Sequence, residues 1–129
     1  MELKRILHVD DDDDIRTIVQ LALEVVGNFD LRQYGDGPSA IAAATDFDPQ
    51  LLLLDVMMPG MTGMDVRRTL VEDHDMGDVT TVYVTAKAED SFARELMDQG
   101  AVSVITKPFD PMTLADQIRD IWARQKEAA

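Results

Sequence analysis

The sequence predicts an α/β protein in which a parallel sheet carries helices on both faces. Two observations lead to this prediction. Short strand-like runs alternate with helical patterns along the 129 residues, and such alternation is typical of parallel strands joined by right-handed helical crossovers. In addition, the four leucines of the central run LLLLD are uninterrupted, as expected for a strand that is covered on both faces.

The first half of the chain predicts two strands and two helices. A strand is predicted at Lys4–Val9, and the apolar spacing that follows predicts a helix over Asp13–Val26 that stops at Gly27. The alternating run Phe29–Tyr34 predicts the second strand. The turn residues after it open an alanine-rich helix, which must end before Pro49 because a residue preceding proline disfavours the helical region.

The second half continues the alternation to a total of five strands and five helices. Its elements are predicted as a strand at Leu51–Asp55, a helix at about Met64–Glu72, a strand at Thr80–Val84, a helix at Glu89–Gly100, a strand at Val102–Ile105 and a helix from about Pro111 to Lys126. No repeat, low-complexity segment or linker interrupts them. We therefore expect one domain spanning residues 1–129.

The composition excludes several classes of function. A formal net charge of −13 disfavours nucleic-acid binding, which needs clustered Lys and Arg, and it disfavours anionic membrane surfaces. The absence of cysteine excludes disulfides and thiol catalysis. No apolar run approaches the ~20 residues of a membrane span, and the start of the chain does not resemble a signal peptide. We expect a cytoplasmic protein without nucleic-acid or membrane partners.

Chemically active side chains follow four of the five predicted strands. Ligand sites in parallel sheets lie beyond the carboxyl ends of the strands. The residues at these ends are Asp10, Asp11, Asp55, Thr85 and Lys107. The second strand ends in Tyr34 and Gly35, which suggest no chemistry. Three carboxylates, a hydroxyl and an ammonium are therefore expected to converge on one edge of the sheet.

This set of groups indicates phosphoryl transfer to a carboxylate. Several neighbouring carboxylates suit a hard divalent cation such as Mg²⁺, which uses one or two of them. A carboxylate beside the cation is ionised at neutral pH, since an unperturbed Asp titrates near ~3.9. It can therefore attack phosphorus without a general base and form an aspartyl phosphate. The cation, the ammonium and the hydroxyl can hold the three phosphoryl oxygens.

Four segments of the chain resemble the signature segments of two-component response-regulator receiver domains. These segments are VDDDDDIR, LLLLDVMMPGMTGMD, VTA and KPF, and the resemblance runs from about Leu3 to Trp122. It implies a CheY-like, flavodoxin-like doubly wound sheet with the strand order 2-1-3-4-5. It also implies a signalling phosphoacceptor, which assists its own phosphorylation and dephosphorylation and is not an enzyme with an external substrate.

The resemblance implies a magnesium site and a phosphoacceptor. Asp55 is the implied phosphoacceptor, and Asp10 and Asp11 hold Mg²⁺. Asp11 and Asp55 are the implied direct ligands, with the backbone carbonyl of Met57 as a third. The remaining carboxylates of the aspartate run, residues 12–14, then fall at the start of the first helix, where they cap free N–H groups and favour the positive end of the helix dipole.

The resemblance also assigns the other strand-end residues. Thr85 would contact a phosphoryl oxygen, and Lys107 would pair with the phosphoryl group and precede a cis peptide bond to Pro108. The positions two past the phosphoacceptor and two past the threonine, which influence phosphoryl lifetime in the family, are Met57 and Lys87.

The implied partners are proteins. A sensor histidine kinase or a histidine phosphotransfer protein would donate the phosphoryl group from a phosphohistidine. Because no output domain is expected in 129 residues, a stand-alone receiver would signal by binding an unknown protein through its fourth helix, fifth strand and last helix. One departure affects that step: Val104 stands where family members often carry an aromatic residue that swings inward on activation.

Two alternatives remain open from the residues alone. A phosphatase of the haloacid dehalogenase type would also use Mg²⁺ and an aspartyl phosphate, with its nucleophile after the first strand. A structural acidic interaction domain with a vestigial site would use neither. Turnover of external phosphomonoesters separates the phosphatase from a receiver, which labels itself once. The intact set of strand-end residues argues against the vestigial site.

Overall fold

The computed structural model of the chain describes residues 2–86 and 89–128, with side chains described as far as Lys126. Its strands are β1 (Arg5–Val9), β2 (Asp30–Tyr34), β3 (Leu51–Asp55), β4 (Thr80–Thr85) and β5 (Ser103–Thr106). Its helices are α1 (Asp13–Gln20, continued by the π-helical turn Leu21–Val26), α2 (Gly37–Phe47), α3 (Gly63–Asp73), α4 (Asp90–Asp98) and α5 (Leu114–Ala128).

All neighbouring strands pair in parallel, in the order β2-β1-β3-β4-β5. This order confirms the predicted doubly wound α/β fold. The chain moves outward from β1 to β2 and then crosses back to β3 on the other side of β1. The strand order therefore reverses between β1 and β3, and the carboxyl ends of these two strands flank the crevice where such sheets bind ligands.

The sheet separates two hydrophobic cores. The core on one face contains side chains of α1, its π-helical turn and α5, and the core on the other contains side chains of α2, α3 and α4. The central strand β3 contributes side chains to both cores, because Leu51 and Leu53 face the first core while Leu52 and Leu54 face the second. All four leucines are fully buried, and each contributes about 1.5–3 kcal/mol. This buried strand carries Asp55 at its end.

The acidic start of α1 matches its predicted role. Asp12 is the N-cap residue, and its side chain accepts hydrogen bonds from the backbone N–H groups of Asp14 and Ile15. Asp13 and Asp14 lie in the first turn, near the positive end of the helix dipole. The run of five aspartates is thus divided between a strand end and a helix cap, as predicted.

Of two helix ends, one agrees with its prediction and the other differs. The first helical segment ends at Val26 with Gly27 as its C-cap residue, as predicted, and the positive φ of 59° falls on the next residue, Asn28. Gly27 is required by packing, because a Cβ there would lie 2.8 Å from the carbonyl oxygen of Leu23 and 2.9 Å from Cβ of Ala115. Helix α5 begins at Leu114 and not at Pro111, since residues 111–113 form a turn that is bonded to Asp110.

Within the described residues, no helix is both long enough and apolar enough to cross a membrane.

Candidate functional site

Three carboxylates meet at the carboxyl edge of the sheet. Asp10 and Asp11 follow β1 and Asp55 ends the neighbouring strand β3, and each offers an oxygen that lies within 4.8 Å of the other two. Asp10 is fully buried and Asp55 is 5% exposed, whereas Asp11 is exposed. The structure therefore brings together the three carboxylates that were selected from the sequence, with one of them open to solvent.

Lys107 bridges the two buried carboxylates. Its Nζ donates to Oδ2 of Asp10 at 3.0 Å and to Oδ1 of Asp55 at 3.2 Å. Burial favours the neutral amine and would by itself lower the pKa of Lys107, but the two carboxylates outweigh burial and raise that pKa above its ordinary value. Lys107 is therefore a fixed positive charge between two negative ones.

The carboxylate of Asp55 is harder to ionise than the sequence suggested. Burial is the largest cause, and together with the charge of Asp10 it raises the pKa of Asp55 to about 6, while Lys107 acts in the opposite direction. The carboxylate remains mostly ionised at pH 7. The expected ionisation at neutral pH therefore holds, although the ordinary Asp pKa on which it was based does not apply to this buried strand end.

The donor set fits a hard divalent cation. It consists of oxygen ligands only, and its three carboxylates outnumber the single positive charge of Lys107, which pairs with Asp10 and Asp55. Bringing a divalent cation to such a cluster offsets the repulsion between the carboxylates, and Mg²⁺ prefers oxygen ligands of this kind. Exposed Asp11 leaves a direction from which a cation and its waters can approach.

Asp10 is held by hydrogen bonds to its backbone and to its side chain. Its N–H donates to the carbonyl of Tyr34 on β2 at 3.1 Å, and its Oδ1 accepts from the N–H of Asp12 at 2.9 Å. Its carbonyl oxygen accepts from Arg16 of α1 at 2.6 Å. Arg16 could not be singled out from the sequence, since the pattern around it is the i,i+3 pairing with Asp13 that helices commonly show.

The loop after β3 returns closely to the site. A Cβ at Gly63 would lie 2.2 Å from the carbonyl oxygen of Asp55, so only glycine fits there, and the N–H of Gly63 donates to the carbonyl of Val56 at 3.1 Å. Gly60 has φ of 78°, a conformation that L side chains rarely adopt. The side chain of Met57 in this loop is 62% exposed. The glycines therefore fix the loop that carries Met57.

Thr85 lies at the same edge of the sheet, at the end of β4. Val84 pairs with Asp55 across β3 and β4, so Thr85 is one residue beyond the phosphoacceptor candidate, and it is buried. Its carbonyl accepts from the N–H of Lys107 at 2.8 Å. The peptide bond between Lys107 and Pro108 is cis, as expected. Lys87, selected for its position past Thr85, lies outside the described residues.

A family comparison matches most of the chain. The family model for the response regulator receiver domain matches residues 6–119. The phosphate regulon transcriptional regulatory protein PhoB of Pseudomonas aeruginosa is 35% identical over 121 residues, which cover 94% of this chain and 52% of that protein. The DNA-binding response regulator MtrA of Mycolicibacterium smegmatis is 38% identical over 124 residues, 96% of this chain and 53% of that protein. The chain spans about half the length of these relatives.

Solved structures have the same fold. The chemotaxis protein CheY4 of Vibrio cholerae superposes with a TM-score of 0.84 at 25% identity, covering 93% of this chain and 99% of that one. A CheY-like receiver domain protein from Methanospirillum hungatei gives a TM-score of 0.80 at 25% identity, covering 99% of this chain and all of that one.

Proposed function

The chain belongs to the response regulator receiver domain family of two-component systems, and from that premise we propose that it accepts a phosphoryl group on Asp55 and thereby changes its binding to another protein. Receiver domains are signalling phosphoacceptors and not enzymes with an external substrate. The observation that carries the proposal is the bridge from Lys107 to both buried carboxylates, with exposed Asp11 beside them.

The proposed reaction is an in-line displacement at phosphorus. An oxygen of the Asp55 carboxylate attacks the phosphorus of a phosphohistidine, so that an O–P bond forms and the N–P bond breaks. The electron pair of the broken bond returns to the imidazole nitrogen, which takes up a proton and leaves. No general base is needed, because the attacking carboxylate carries no proton when it is ionised. The carboxylate of Asp55 stays mostly ionised at neutral pH even though burial and Asp10 raise its pKa to about 6.

The other groups compensate charge. We assign Asp10, Asp11, Asp55 and the backbone carbonyl of Met57 as the residues that would hold Mg²⁺. Bound there, Mg²⁺ supplies positive charge to the phosphoryl oxygens. Lys107 already contacts Asp55 Oδ1, so a short movement of its ammonium would bring it onto a phosphoryl oxygen. The hydroxyl of Thr85 would donate a hydrogen bond to a second phosphoryl oxygen.

The proposed partners are proteins on both sides of the reaction. The donor is a sensor histidine kinase or a histidine phosphotransfer protein, and the target binds the surface formed by α4, β5 and α5. Several relatives are named as DNA-binding regulators, but this chain matches only about half of each. Its net charge of −13 supports a protein target for this domain and not a direct contact with phosphates of DNA.

Self-labelling tests the proposal. Incubation with acetyl phosphate and Mg²⁺ should add the mass of one phosphoryl group, and Asp55→Asn should abolish the addition, as read by intact-mass spectrometry. Asp14→Asn, an equal loss of charge in the first turn of α1, is the matched control and should label normally. Undiminished labelling of the Asp55→Asn variant would contradict the assignment. Repeated turnover of p-nitrophenyl phosphate would instead favour a phosphatase.

A further inference from the structure

Arg16 connects helix α1 to the end of β1. Its Nη1 donates to the carbonyl oxygen of Asp10 at 2.6 Å, and its Nη2 pairs with the carboxylate of Asp13. The side chain of Arg16 is about three-quarters buried, whereas that of Asp13 is exposed. The two contacts therefore differ: one joins α1 to the buried strand end, and the other is an ion pair at the surface, which is worth little by itself.

The end of β2 is shaped around the same guanidinium. A Cβ at Gly35 would lie only 2.9 Å from Nη1 of Arg16. The side chain of Gln33 donates to the backbone carbonyl of Arg16 at 2.8 Å and to Nδ1 of His8 at 3.1 Å. Strand β2, to which the sequence assigned no chemistry, thus supplies both the space for the guanidinium and a bond that holds its helix.

The bond to Asp10 acts on the peptide that leads to Asp11. A planar peptide joins the carbonyl of Asp10 to the N–H of Asp11, so the direction of that carbonyl fixes where the Cα of Asp11 lies. The carboxylate of Asp10 is held by Asp12 and Lys107. Asp11 is exposed, so the position of its carboxylate depends on its backbone.

We propose that Arg16 is a positioning residue for the divalent cation: by holding the Asp10 carbonyl, it sets the Asp11 carboxylate for metal binding. This proposal rests on the proposed function above. Two opposing effects make it testable. Arg16 is itself a cation near a cation site, so Coulomb repulsion predicts that its removal tightens Mg²⁺ binding. If Arg16 instead acts by positioning the carboxylate of Asp11, its removal should weaken Mg²⁺ binding.

Gly35 allows the guanidinium to be moved without a change of charge. The φ of Gly35 lies outside the left-handed region, so the backbone accepts alanine. The methyl group would meet Nη1 and the guanidinium carbon at 2.9 and 3.4 Å. Because these atoms lie at the far end of a flexible side chain, Arg16 can move aside at low cost to the fold. Gly35→Ala should therefore break the bond to Asp10 and keep every charge.

Calorimetric titration with Mg²⁺ gives a readout that does not depend on phosphorylation. We expect Arg16→Ala and Gly35→Ala each to weaken binding about tenfold or more, as is common for groups that orient metal ligands. Combining the two should cost no more than Arg16→Ala alone, because both remove the same contact. Arg16→Lys should recover part of the loss, since an ammonium can reach one carbonyl. Arg32→Ala, an exposed position on β2, should bind normally.

Unchanged or tighter binding by Arg16→Ala would overturn the proposal, as would normal binding by Gly35→Ala. If Arg16→Ala does not fold by circular dichroism, Gly35→Ala and Arg16→Lys decide the matter. Failure of the proposed function looks different: the unaltered protein would then bind no Mg²⁺, or label at a residue other than Asp55. If Asp55 is labelled normally and the Arg16 variants also bind Mg²⁺ normally, the inference about Arg16 is wrong and the proposed function stands.

Discussion

Asp55 combines burial, a neighbouring carboxylate and a lysine at one strand end. These three influences oppose one another, and their balance leaves the pKa of Asp55 at about 6. Without a bound cation, the carboxylate of Asp55 therefore changes its protonation close to neutral pH. A phosphoryl group that becomes bonded to its carboxylate oxygen would be met by the same lysine, which already lies within hydrogen-bond distance. The reactivity of Asp55 is therefore set by the groups around it, since every Asp side chain carries the same carboxylate.

Met57 provides a prediction at the level of one side chain. It lies two residues past Asp55, and its side chain is 62% exposed. A thioether offers an attacking water no strong hydrogen-bond partner, so the water is poorly oriented for in-line attack on an aspartyl phosphate. We expect slow self-dephosphorylation that Met57→Asn accelerates severalfold. Decay of labelled protein after removal of acetyl phosphate, followed by intact mass, measures the rate.

Met57→Leu is the matched control for this experiment, since it changes the shape of the side chain but adds no polar group. Its decay should equal that of the unaltered protein. Decay that is unchanged or slower in Met57→Asn would count against water orientation at this position.

At the scale of elements, β4 and β5 connect the site to the proposed target surface. The carbonyl of Thr85 at the end of β4 is bonded to Lys107 beyond β5. Val104 pairs in register with Tyr83 on β4, and Tyr83 is fully enclosed between the sheet and its helices. Val104 is too small and too stiff at χ1 to make the swing of an aromatic side chain. A shift at Thr85 should therefore pass through the backbone into α4.

Backbone NMR tests this route. Addition of beryllofluoride with Mg²⁺ should move the amide resonances of residues 89–100 strongly and those of residues 102–105 moderately. The resonances of residues 39–45 in α2, which packs on the far part of the sheet, should hardly move. The strong shifts should include residues 86–88 as well, so that they span residues 86–100; of these, residues 87 and 88 lie outside the described part of the chain. Changes confined to Asp10, Asp11 and Asp55 would mean that the site fills without switching this surface.

The elements also show how far the sequence could predict this site. The convergence of Asp10, Asp11 and Asp55 was predictable, because parallel strands place their carboxyl ends on one edge. The contact of Arg16 with the Asp10 carbonyl was not, since it depends on the path of a long side chain past Gly35 on a third element. The π-helical turn that extends α1 was equally hidden, because apolar spacing does not distinguish it from an α-helix.

At the scale of the whole molecule, His8 links the stability of the fold to pH. It is buried on β1, its Nδ1 accepts from Gln33, and its Nε2 has no hydrogen-bond partner among the described residues. Burial first, and then the positive charges of Lys107 and Arg16, lower the pKa of His8 from 6.5 to about 3. The ring is thus neutral in the folded protein, whereas the unfolded chain takes up a proton below pH 6.5.

This difference fixes the sign of the pH dependence. Between pH 6.5 and 3 the unfolded state binds one proton more than the folded state at this position, so the free energy of unfolding falls as the pH falls. We expect the burial of neutral His8 to lower the free energy of unfolding by about 2 kcal/mol at pH 5 relative to pH 8. Asp55, whose pKa is raised, changes stability in the opposite direction over the same range. The loss is therefore read as a difference: in urea unfolding in EDTA, the free energy of unfolding of the unaltered protein should fall by about this amount relative to that of His8→Val between pH 8 and pH 5.

Ile6→Val, on the same strand and face, is the control for a simple packing defect. It should cost about 0.5–1.5 kcal/mol at both pH values. A difference between the unaltered protein and His8→Val that does not change with pH would show that His8 is not held neutral by the fold.

The most direct measurement of the central claim locates the phosphoryl group in the chain. After labelling with acetyl phosphate and Mg²⁺, borohydride reduces an aspartyl phosphate to homoserine, and tandem mass spectrometry of the peptides identifies the modified position. A receiver with the geometry described above should carry the modification at Asp55 alone. Modification at Asp10 or Asp11, where a phosphatase of the haloacid dehalogenase type would place its nucleophile, would contradict the account.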